Sequence, residues 1–385
     1  MNFTQPLPLS LYVHYPWCVQ KCPYCDFNSH TLKTEINETA YIDALITQLE
    51  RILPQVWGRP IKSIFFGGGT PSLISEEGLN RFLSQARALL GFSPEIEITL
   101  EANPGTVDFE KFAGFYQAGV NRLSMGIQSF DDEKLKALGR IHSADEAHKA
   151  IEAAKSAGFK NFNLDLMFAL PNQSLEQAIS DVEQALSYQP PHLSHYQLTL
   201  EPNTPFYKNP PVLPNDDLAW EFQQACQDKI AQAGYEHYEV SAYAQKGRVC
   251  LHNVNYWQFG DYIGLGAGAH GKITMAPEGR IFRTQMPASP GGYVEAMKQQ
   301  NAGRTHWLEE GDAIFEFMLN ALRLQQGFDL QLFSLRTGLP TSVIEKTLLD
   351  LQEQGFITLN EEQCLKLTAK GQQYLNDVVG AFLAE

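Results

Sequence analysis

The sequence has few cysteines and a deficit of positive charge. Six cysteines occur in 385 residues, and 29 lysines and arginines stand against 44 aspartates and glutamates, for a formal charge of −15. Six thiols are too few for a scaffold held together by disulfides. Surfaces that bind nucleic acid or anionic membranes need clustered lysine and arginine, so the acidic balance argues against both partners.

Long apolar runs are also missing. No stretch approaches about eighteen consecutive apolar residues, so the sequence does not predict an integral membrane protein. The opening segment MNFTQPLPLS has neither the basic start nor the apolar centre of a secretory signal. We therefore expect a cytoplasmic protein, whose oligomeric state these features leave open. In that reducing compartment, closely spaced cysteines are more often metal ligands than disulfides.

Short apolar runs alternate with stretches of helical periodicity in the first half of the chain. Six runs have the length and composition of strands that are covered on both faces: LSLYVHY, IKSIFFGG, EIEITLEAN, RLSMGIQ, NFNLDLMFAL and HLSHYQLTLE. Six strand–helix units predict a parallel sheet, short of the eight that close a full barrel. The expected fold is therefore α/β, with a partial (β/α)6 barrel over residues 1–240.

The pattern changes past about residue 304. Three helical segments precede two short strand segments, FITLN and CLKLT, which is the order of a winged helix. Residues 305–385 carry 12 acids against 5 bases, whereas DNA readout needs a basic footprint. We predict a winged-helix-like α+β domain there, structural or partner-facing, with Ser342 and Glu345 forming a capping box. Residues 241–304, with the glycine-rich GDYIGLGAGAHG, form the connecting region.

Three of the six cysteines lie within eight residues of one another. In WCVQKCPYCDF, Cys18, Cys22 and Cys25 follow the first predicted strand directly, where α/β folds place active sites. Three thiolates on one loop suit an iron–sulfur cubane, and three ligands for four irons leave one iron open to a ligand. A closed zinc site, with a histidine such as His30 as fourth ligand, is the alternative.

This C-x3-C-x2-C spacing, with an aromatic residue before the third cysteine, resembles the radical S-adenosylmethionine (SAM) superfamily. In that superfamily the open iron binds the amino and carboxylate groups of SAM, and an electron from the reduced cluster cleaves the sulfonium. The run GGGTP after the second predicted strand looks like the superfamily's methionine-binding element, although such a run alone is more often a turn. The resemblance implies a [4Fe–4S] cluster on the three cysteines and SAM as a cofactor.

Polar residues also occur at the ends of the third and fourth predicted strands, in LEANPG and SMGIQSF, then in LGRIH, and within the fifth predicted strand, in NLDLM. The carboxyl ends of barrel strands carry ligand contacts, although each such residue alone could be a strand-end cap facing water. In this order the motifs resemble the oxygen-independent coproporphyrinogen III oxidase-like family. That resemblance implies a SAM site, with Tyr24 near the adenine, formed by Tyr12, Tyr24, Gly68, Gly69, Thr70, Glu101, Gln128, Arg140 and Asp165.

The segment CLHNVNYW forms a second group of interest. Imidazole is a common axial haem ligand, and tyrosine or tryptophan can cover a porphyrin face. As a bare pattern, a histidine beside aromatic residues is more often a satisfied core side chain. Together with the other motifs, the segment resembles that of the haem chaperones of the same family, over essentially the whole chain. The resemblance implies haem binding by His252, a pocket shaped by Tyr256 and Trp257, and transfer to a haem-accepting protein, such as a respiratory one.

The coproporphyrinogen dehydrogenase of this family is the competing interpretation. That enzyme decarboxylates porphyrinogen propionates with 5′-deoxyadenosyl radicals, and its motif resembles C-x3-C-x2-C-x-C. Phe27 stands here at the position of the fourth cysteine, which counts against decarboxylation and leaves SAM cleavage open. No catalytic residue is assigned. Cys250 is undecided between a thiolate near haem and a buried bystander, whereas Cys226 and Cys364 are most simply buried apolar side chains.

Overall fold

The computed structural model describes residues 1–300 and 303–383. Its strands are β1 (Leu9–Tyr15), β2 (Trp17–Cys18), β3 (His30–Thr31), β4 (Ile61–Gly68), β5 (Phe92–Ala102), β6 (Arg122–Gln128), β7 (Phe162–Phe168), β8 (His192–Gln197), β9 (Glu236–Glu239), β10 (Ala242–Ala244), β11 (Asp261–Leu265), β12 (His270–Met275), β13 (Arg280–Gln285), β14 (Arg304–Trp307), β15 (Phe328–Asp329), β16 (Ile357–Leu359) and β17 (Cys364–Leu367). Its α-helices are α1 (Glu38–Val56), α2 (Glu76–Leu89), α3 (Phe109–Ala118), α4 (Asp132–Ala137), α5 (Ala144–Ser156), α6 (Leu175–Ser187), α7 (Pro205–Lys208), α8 (Asp216–Gln232), α9 (Leu251–Trp257), α10 (Pro290–Lys298), α11 (Glu310–Ala321), α12 (Leu330–Thr337), α13 (Glu345–Glu353), α14 (Ala369–Gln373) and α15 (Leu375–Gly380).

The predicted partial barrel is confirmed. β1, β4, β5, β6, β7 and β8 lie side by side in chain order, and each pairs in parallel with the next. Helices α1 to α6 occupy the crossovers between these strands, as right-handed β–α–β connections require. The parallel order brings all six carboxyl ends to one edge, which is where such folds bind ligands.

The connecting region adds strands to both edges of this sheet. β10 joins β8 in an antiparallel pair, and β11 joins β1 in parallel, so that the sheet has twelve strands in the described residues. Strand β11 lies within the glycine-rich segment. A Cβ at Gly264 would overlap the carbonyl oxygen of His270, so the close approach of β11 to β12 needs glycine there.

A buried ionic group stabilises this edge of the sheet. The Asp261 carboxylate accepts hydrogen bonds from Arg59 Nη2 at 2.7 Å and from Lys272 Nζ at 2.9 Å. Burial alone would raise the pKa of Asp261, but Lys272 and Arg59 hold it below its ordinary value. The charge of Asp261 is therefore matched inside the core, which makes its burial tolerable.

The C-terminal residues form a second apolar core. Helices α11, α12 and α13 pack with the three-stranded sheet β15–β17–β16, as the winged-helix pattern predicts. The predicted capping box of Ser342 and Glu345 is wrong: Thr341–Val343 is a 3-10 turn, and Ile344 precedes α13 without a side-chain cap. Ser342 lies inside that turn and not at its start. Within residues 1–300 and 303–383, no helix combines the length and apolar character of a membrane span.

Candidate functional site

A cavity of about 170 Å³ lies at the carboxyl ends of the parallel strands. Its walls come from the cysteine loop after β1, the glycine run after β4 and the ends of β5, β6 and β7. Most of the residues proposed for the cluster and for SAM line it: Cys18, Cys22, Cys25, Tyr24, Gly68, Gly69, Thr70, Glu101, Gln128, Arg140 and Asp165. Residues up to about 150 positions apart in sequence thus meet at one edge of the sheet.

The three motif cysteines are free thiols at this cavity. Cys18 ends β2, and the backbone N–H of Cys25 donates to the carbonyl of Cys22 at 3.2 Å, which tightens the loop. Burial raises the pKa of Cys18 and of Cys25. Arg140 Nη1 lies 3.6 Å from Cys22 Sγ, and Nη2 of Arg140 donates to the carbonyl of Gly126 at 2.8 Å. The guanidinium of Arg140 is therefore held beside the sulfur of Cys22.

The surroundings of His30 and of the three cysteines count against a closed zinc site. His30 Nε2 lies 3.2 Å from the carbonyl oxygen of Ala288, and His30 is not among the residues that line the cysteine cavity. Across the described ranges, no three His, Cys, Asp or Glu side chains converge closely enough to hold a single ion. The three thiols border a cavity, as a cubane with one cysteine for each of three irons requires.

The glycine run after β4 makes close backbone contacts with the cysteine loop. The N–H of Thr70 donates to the carbonyl of Trp17 at 2.7 Å. A Cβ at Gly69 would lie 2.5 Å from that same carbonyl oxygen, and one at Gly68 would lie 2.5 Å from the imidazole of His14. Gly68 also has a φ of +117°, which L side chains rarely adopt. Glycine is therefore needed here for the two loops to meet.

Two partly exposed carboxyl groups, those of Glu101 and Asp165, face the cavity. Burial, with the nearby charge of Asp165, raises the pKa of Glu101 to about 8, and burial also raises the pKa of Asp165. Glu101 Oε2 accepts from the N–H of Gly68 at 3.2 Å, while Asp165 accepts from Ser124 at 3.2 Å and Asn163 at 2.7 Å. A cation in this cavity would stabilise both carboxylates. The site therefore suits a positively charged ligand, such as one with an ammonium or sulfonium group.

Tyr196, which the sequence analysis missed, completes one wall of the cavity. Its hydroxyl donates to Gln128 Oε1 at 2.9 Å and so orients an amide whose backbone has a φ of +67°. Tyr196 lies next to the last residue of β8 (His192–Gln197) but in the middle of the longer predicted run HLSHYQLTLE. The rule about strand ends misses it because the observed strand ends four residues earlier than the predicted one.

Tyr12 lies deeper in the barrel than the other residues proposed for the SAM site. Its hydroxyl is 2.8 Å from His14 Nδ1, and its ring centroid is 6.3 Å from that of His252. Burial, followed by the charge of Glu101, raises the pKa of the Tyr12 hydroxyl well above its ordinary value. Tyr12 thus lies between the cysteine cavity and the histidine motif.

The histidine motif forms the short helix α9, which packs on β4 and β1. His252 is 1% exposed, its Nδ1 lies 3.0 Å from Ser63 Oγ, and its Nε2 lies 3.0 Å from the hydroxyl of Tyr256. Burial lowers the pKa of His252 to about 3, so the ring is neutral at pH 7. Ser63 precedes Gly68 on β4 by five residues, or roughly 16 Å. The motif is therefore at the other end of the barrel from the cysteine cavity.

A second cavity, of about 310 Å³, lies beside α9. Tyr256 and Trp257 line it, together with side chains from the sheet and from α11. Cys250 is fully buried, with Sγ 3.6 Å from Glu97 Oε1, and burial raises its pKa to about 12. The thiol of Cys250 is thus protonated at neutral pH in this arrangement.

Comparisons with known proteins agree with this architecture. Residues 12–185 match the radical SAM superfamily, and residues 308–374 match the HemN C-terminal domain. The chain is 48% identical to the heme chaperone HemW of Escherichia coli (strain K12), over 98% of this chain and 99% of that protein. It is 46% identical to the heme chaperone HemW of Haemophilus influenzae, over 98% of each.

Among solved structures, coproporphyrinogen III oxidase (HemN) from Escherichia coli has the same fold. The TM-score is 0.81 at 22% sequence identity, over 98% of this chain and 90% of that chain. The likeness to HemN concerns the fold, whereas the likeness to HemW extends to nearly half of all positions over the full length. The chain therefore belongs to the HemW family of the radical SAM superfamily.

Proposed function

We propose that this chain is a haem chaperone, which binds haem near α9 and transfers it to a haem-accepting protein, such as one of the respiratory chain. The observation that carries the proposal is the position of Tyr256 and Trp257 in a second cavity, away from the cysteine cavity. Cargo in that cavity would not compete with SAM for space. The full-length similarity to proteins named heme chaperones supports the same function. Free thiols fit a cytoplasmic location, which we also propose.

Membership of the radical SAM superfamily implies a [4Fe–4S] cluster and SAM. We assign the cluster to Cys18, Cys22 and Cys25, because their free thiols border one cavity beside the Arg140 guanidinium. When bound, the cluster supplies an electron to the sulfonium of SAM. Glu101 and Asp165 would balance the positive charge of SAM, and the Gly68–Thr70 backbone would bind its methionine part.

The porphyrinogen dehydrogenase is the alternative function. That chemistry needs the porphyrinogen beside SAM, in the cysteine cavity. Phe27, which stands at the position of the fourth cysteine in the dehydrogenase motif, forms part of the wall of that cavity. The absence of this cysteine, with the full-length similarity to proteins named heme chaperones, supports a chaperone over a decarboxylase.

Two assays on the anaerobically purified, cluster-loaded protein test the proposed function. Titration with ferric haem is expected to give a saturable change in the Soret band. Incubation with coproporphyrinogen III, SAM and a reductant is expected to leave the porphyrinogen unchanged. Formation of protoporphyrinogen, or a haem titration without saturable binding, would overturn the proposal.

Replacing Glu101 by glutamine is expected to reduce the pH dependence of SAM binding. Because the pKa of Glu101 is raised to about 8, its carboxyl is mostly protonated at pH 7, and a cationic ligand must displace that proton. SAM affinity should therefore rise between pH 6 and pH 8, by at most about tenfold per pH unit for one proton released. Calorimetry in buffers of different ionisation enthalpy measures the released proton.

The matched control is Glu133→Gln, which changes an exposed carboxylate on α4. It should leave both the affinity and the proton release unchanged. The same linkage applies to the folding of the ligand-free protein. Because the pKa of Glu101 is raised from 4.5 to about 8 in the folded state, this carboxyl lowers the free energy of unfolding as pH rises through that interval. SAM affinity that is flat from pH 6 to pH 8 in the parent protein would contradict the assignment of Glu101.

A further inference from the structure

We propose that Arg283 recognises the propionate groups at the edge of haem, in the cavity beside α9. This inference rests on the proposed chaperone function and adds the polar half of the binding site. Nothing in the sequence motif indicates Arg283, which lies on β13 and more than 25 residues after the end of α9. The pairing of β13 with β12, and of β12 with β11, brings Arg283 to the cavity beside α9.

The cavity lies where the main sheet meets the C-terminal core. Its lining comes from α9 and the residues after it, from β11, β12 and β13, and from α11: Tyr256, Trp257, Phe259, Gly260, Tyr262, Lys272, Arg283, Leu319 and Asn320. The wall thus carries both aromatic rings and cationic groups, with Lys272 Nζ 4.2 Å from the centroid of the Phe259 ring. A flat aromatic ligand with carboxylates on one edge needs both kinds of group.

The Arg283 guanidinium is held in a fixed orientation. Nη2 and Nε donate to the two carboxylate oxygens of Glu316 at 2.8 and 3.4 Å, and Nη1 donates to the hydroxyl of Tyr262 at 2.5 Å. A guanidinium carries five N–H donors, so these contacts leave two for a ligand. The side chain of Arg283 is 21% exposed, which leaves it accessible from the cavity. A pre-oriented, partly buried arginine is well suited to bind a carboxylate.

Two cations, Lys272 and Arg283, lie on the wall of the cavity. Lys272 Nζ pairs with Asp261 at 2.9 Å, and Asp261 also pairs with Arg59 at 2.7 Å. Arg283 pairs with Glu316 at 2.8 Å. Three cations are thus paired with two carboxylates beside the cavity, and a ligand carboxylate would add a partner for Arg283.

Two tyrosines connect Arg283 to the imidazole that is expected to bind iron. Tyr256 contacts His252 Nε2 through its hydroxyl at 3.0 Å, and its ring meets that of Tyr262 edge-on at 4.5 Å. Tyr262 in turn accepts from Arg283. Contacts through Tyr262 and Tyr256 therefore connect Arg283, on the wall of the cavity, with His252, which is 1% exposed and is not itself part of that wall.

The size of the cavity is consistent with haem that is only partly enclosed and can be transferred to an acceptor protein. A volume of about 310 Å³ lies at the lower end of the range for small-molecule pockets, roughly 300–1,000 Å³. Leu319, on its wall, is 47% exposed. The cavity would therefore enclose one edge of the macrocycle and leave the other accessible to an acceptor.

The experiment compares ferric haem with its dimethyl ester, which lacks the carboxylates. Soret titrations are made with the parent protein, Arg283→Gln and the control Arg280→Gln, which changes a more exposed arginine of the same strand. The parent is expected to bind haem about tenfold more tightly than the ester, because a hydrogen bond to a charged group is lost. Arg283→Gln should remove this preference, and Arg280→Gln should keep it.

The outcomes separate this inference from the function on which it rests. A parent protein that binds haem and ester equally, or an Arg283→Gln variant that keeps the preference, would overturn the role of Arg283 while haem binding stands. Absence of saturable binding in the parent would overturn the chaperone function itself. If Arg283→Gln fails to fold because Glu316 loses its partner, Arg283→Lys keeps the charge and should weaken the preference through loss of the two-pronged geometry.

Discussion

Replacing Cys22 with serine is expected to remove the iron–sulfur cluster almost completely. The parent protein, purified without oxygen, should carry about four irons and four sulfides per chain. The serine variant should carry almost none, since each of the three thiols is needed for one iron of a cluster that already has an open position. Cys22 is also the thiol 3.6 Å from Arg140 Nη1, so its loss leaves that cation without a sulfur partner.

The matched control for this experiment is Cys364→Ser. Cys364 is a free, half-buried thiol at the start of β17 in the C-terminal core, far from the cysteine cavity in the chain. Its replacement should leave iron and sulfide unchanged. Iron analysis, acid-labile sulfide and the visible spectrum measure the result. One zinc per chain without sulfide in the parent would establish the zinc alternative and end the cluster assignment.

The second large effect is expected at the histidine motif. His252→Ala should lower the affinity for ferric haem by at least roughly a hundredfold, because even outer contacts of metal ligands are worth about 10–100-fold in affinity. The imidazole is neutral at pH 7, since burial lowers its pKa to about 3, so a lone pair is available without deprotonation. Ser63 at Nδ1 orients the ring, which leaves Nε2 as the nitrogen for iron.

In the structure the hydroxyl of Tyr256 lies 3.0 Å from His252 Nε2, so a change at Tyr256 is expected to alter haem affinity. Iron can bind there only after that hydrogen bond is broken. Tyr256→Phe keeps the ring in the cavity and removes the competing hydroxyl, so haem affinity should rise by about two- to tenfold, the worth of one net hydrogen bond. If His252 had only a structural role, Tyr256→Phe would lower the haem affinity or leave it unchanged.

Controls separate ligation from stability in these titrations. His252→Ala leaves the buried hydroxyl of Ser63 with one partner fewer, and Tyr256→Phe takes the hydroxyl partner from the buried Nε2 of His252. The melting temperature of both variants should therefore fall, while their haem affinities should change in opposite directions. His306→Ala, at an exposed histidine on β14, should bind haem as the parent does. Equal haem affinity in His252→Ala and the parent would refute His252 as the ligand.

Local pattern was enough for most of the barrel. The predicted segments LSLYVHY, IKSIFFGG and RLSMGIQ coincide with β1, β4 and β6, because strands buried on both faces appear as continuous apolar runs. The capping boxes at α5 and α6 are local patterns of the same kind. Strand β11 was not predicted, because glycine-rich sequence has weak strand propensity and its place beside β1 depends on a contact with β12.

For the candidate site, the sequence by itself determined the chemistry at the strand ends. Parallel strands bring their carboxyl ends to one edge, so Cys22 in the cysteine loop and Glu101 near the end of β5 were expected to meet. Asp165 lies in the middle of β7, and its place on the same cavity follows from the structure. Only the tertiary structure decided the position of α9 on β4 and β1. Packing of α9 on β4 places Ser63 at Nδ1 of His252, and the sheet places Arg283 of β13 on the wall of the cavity that Tyr256 lines. These two arrangements join residues far apart in the chain, and no local periodicity encodes them. The contact of His252 Nε2 with the Tyr256 hydroxyl, by contrast, is a local pair four residues apart in α9.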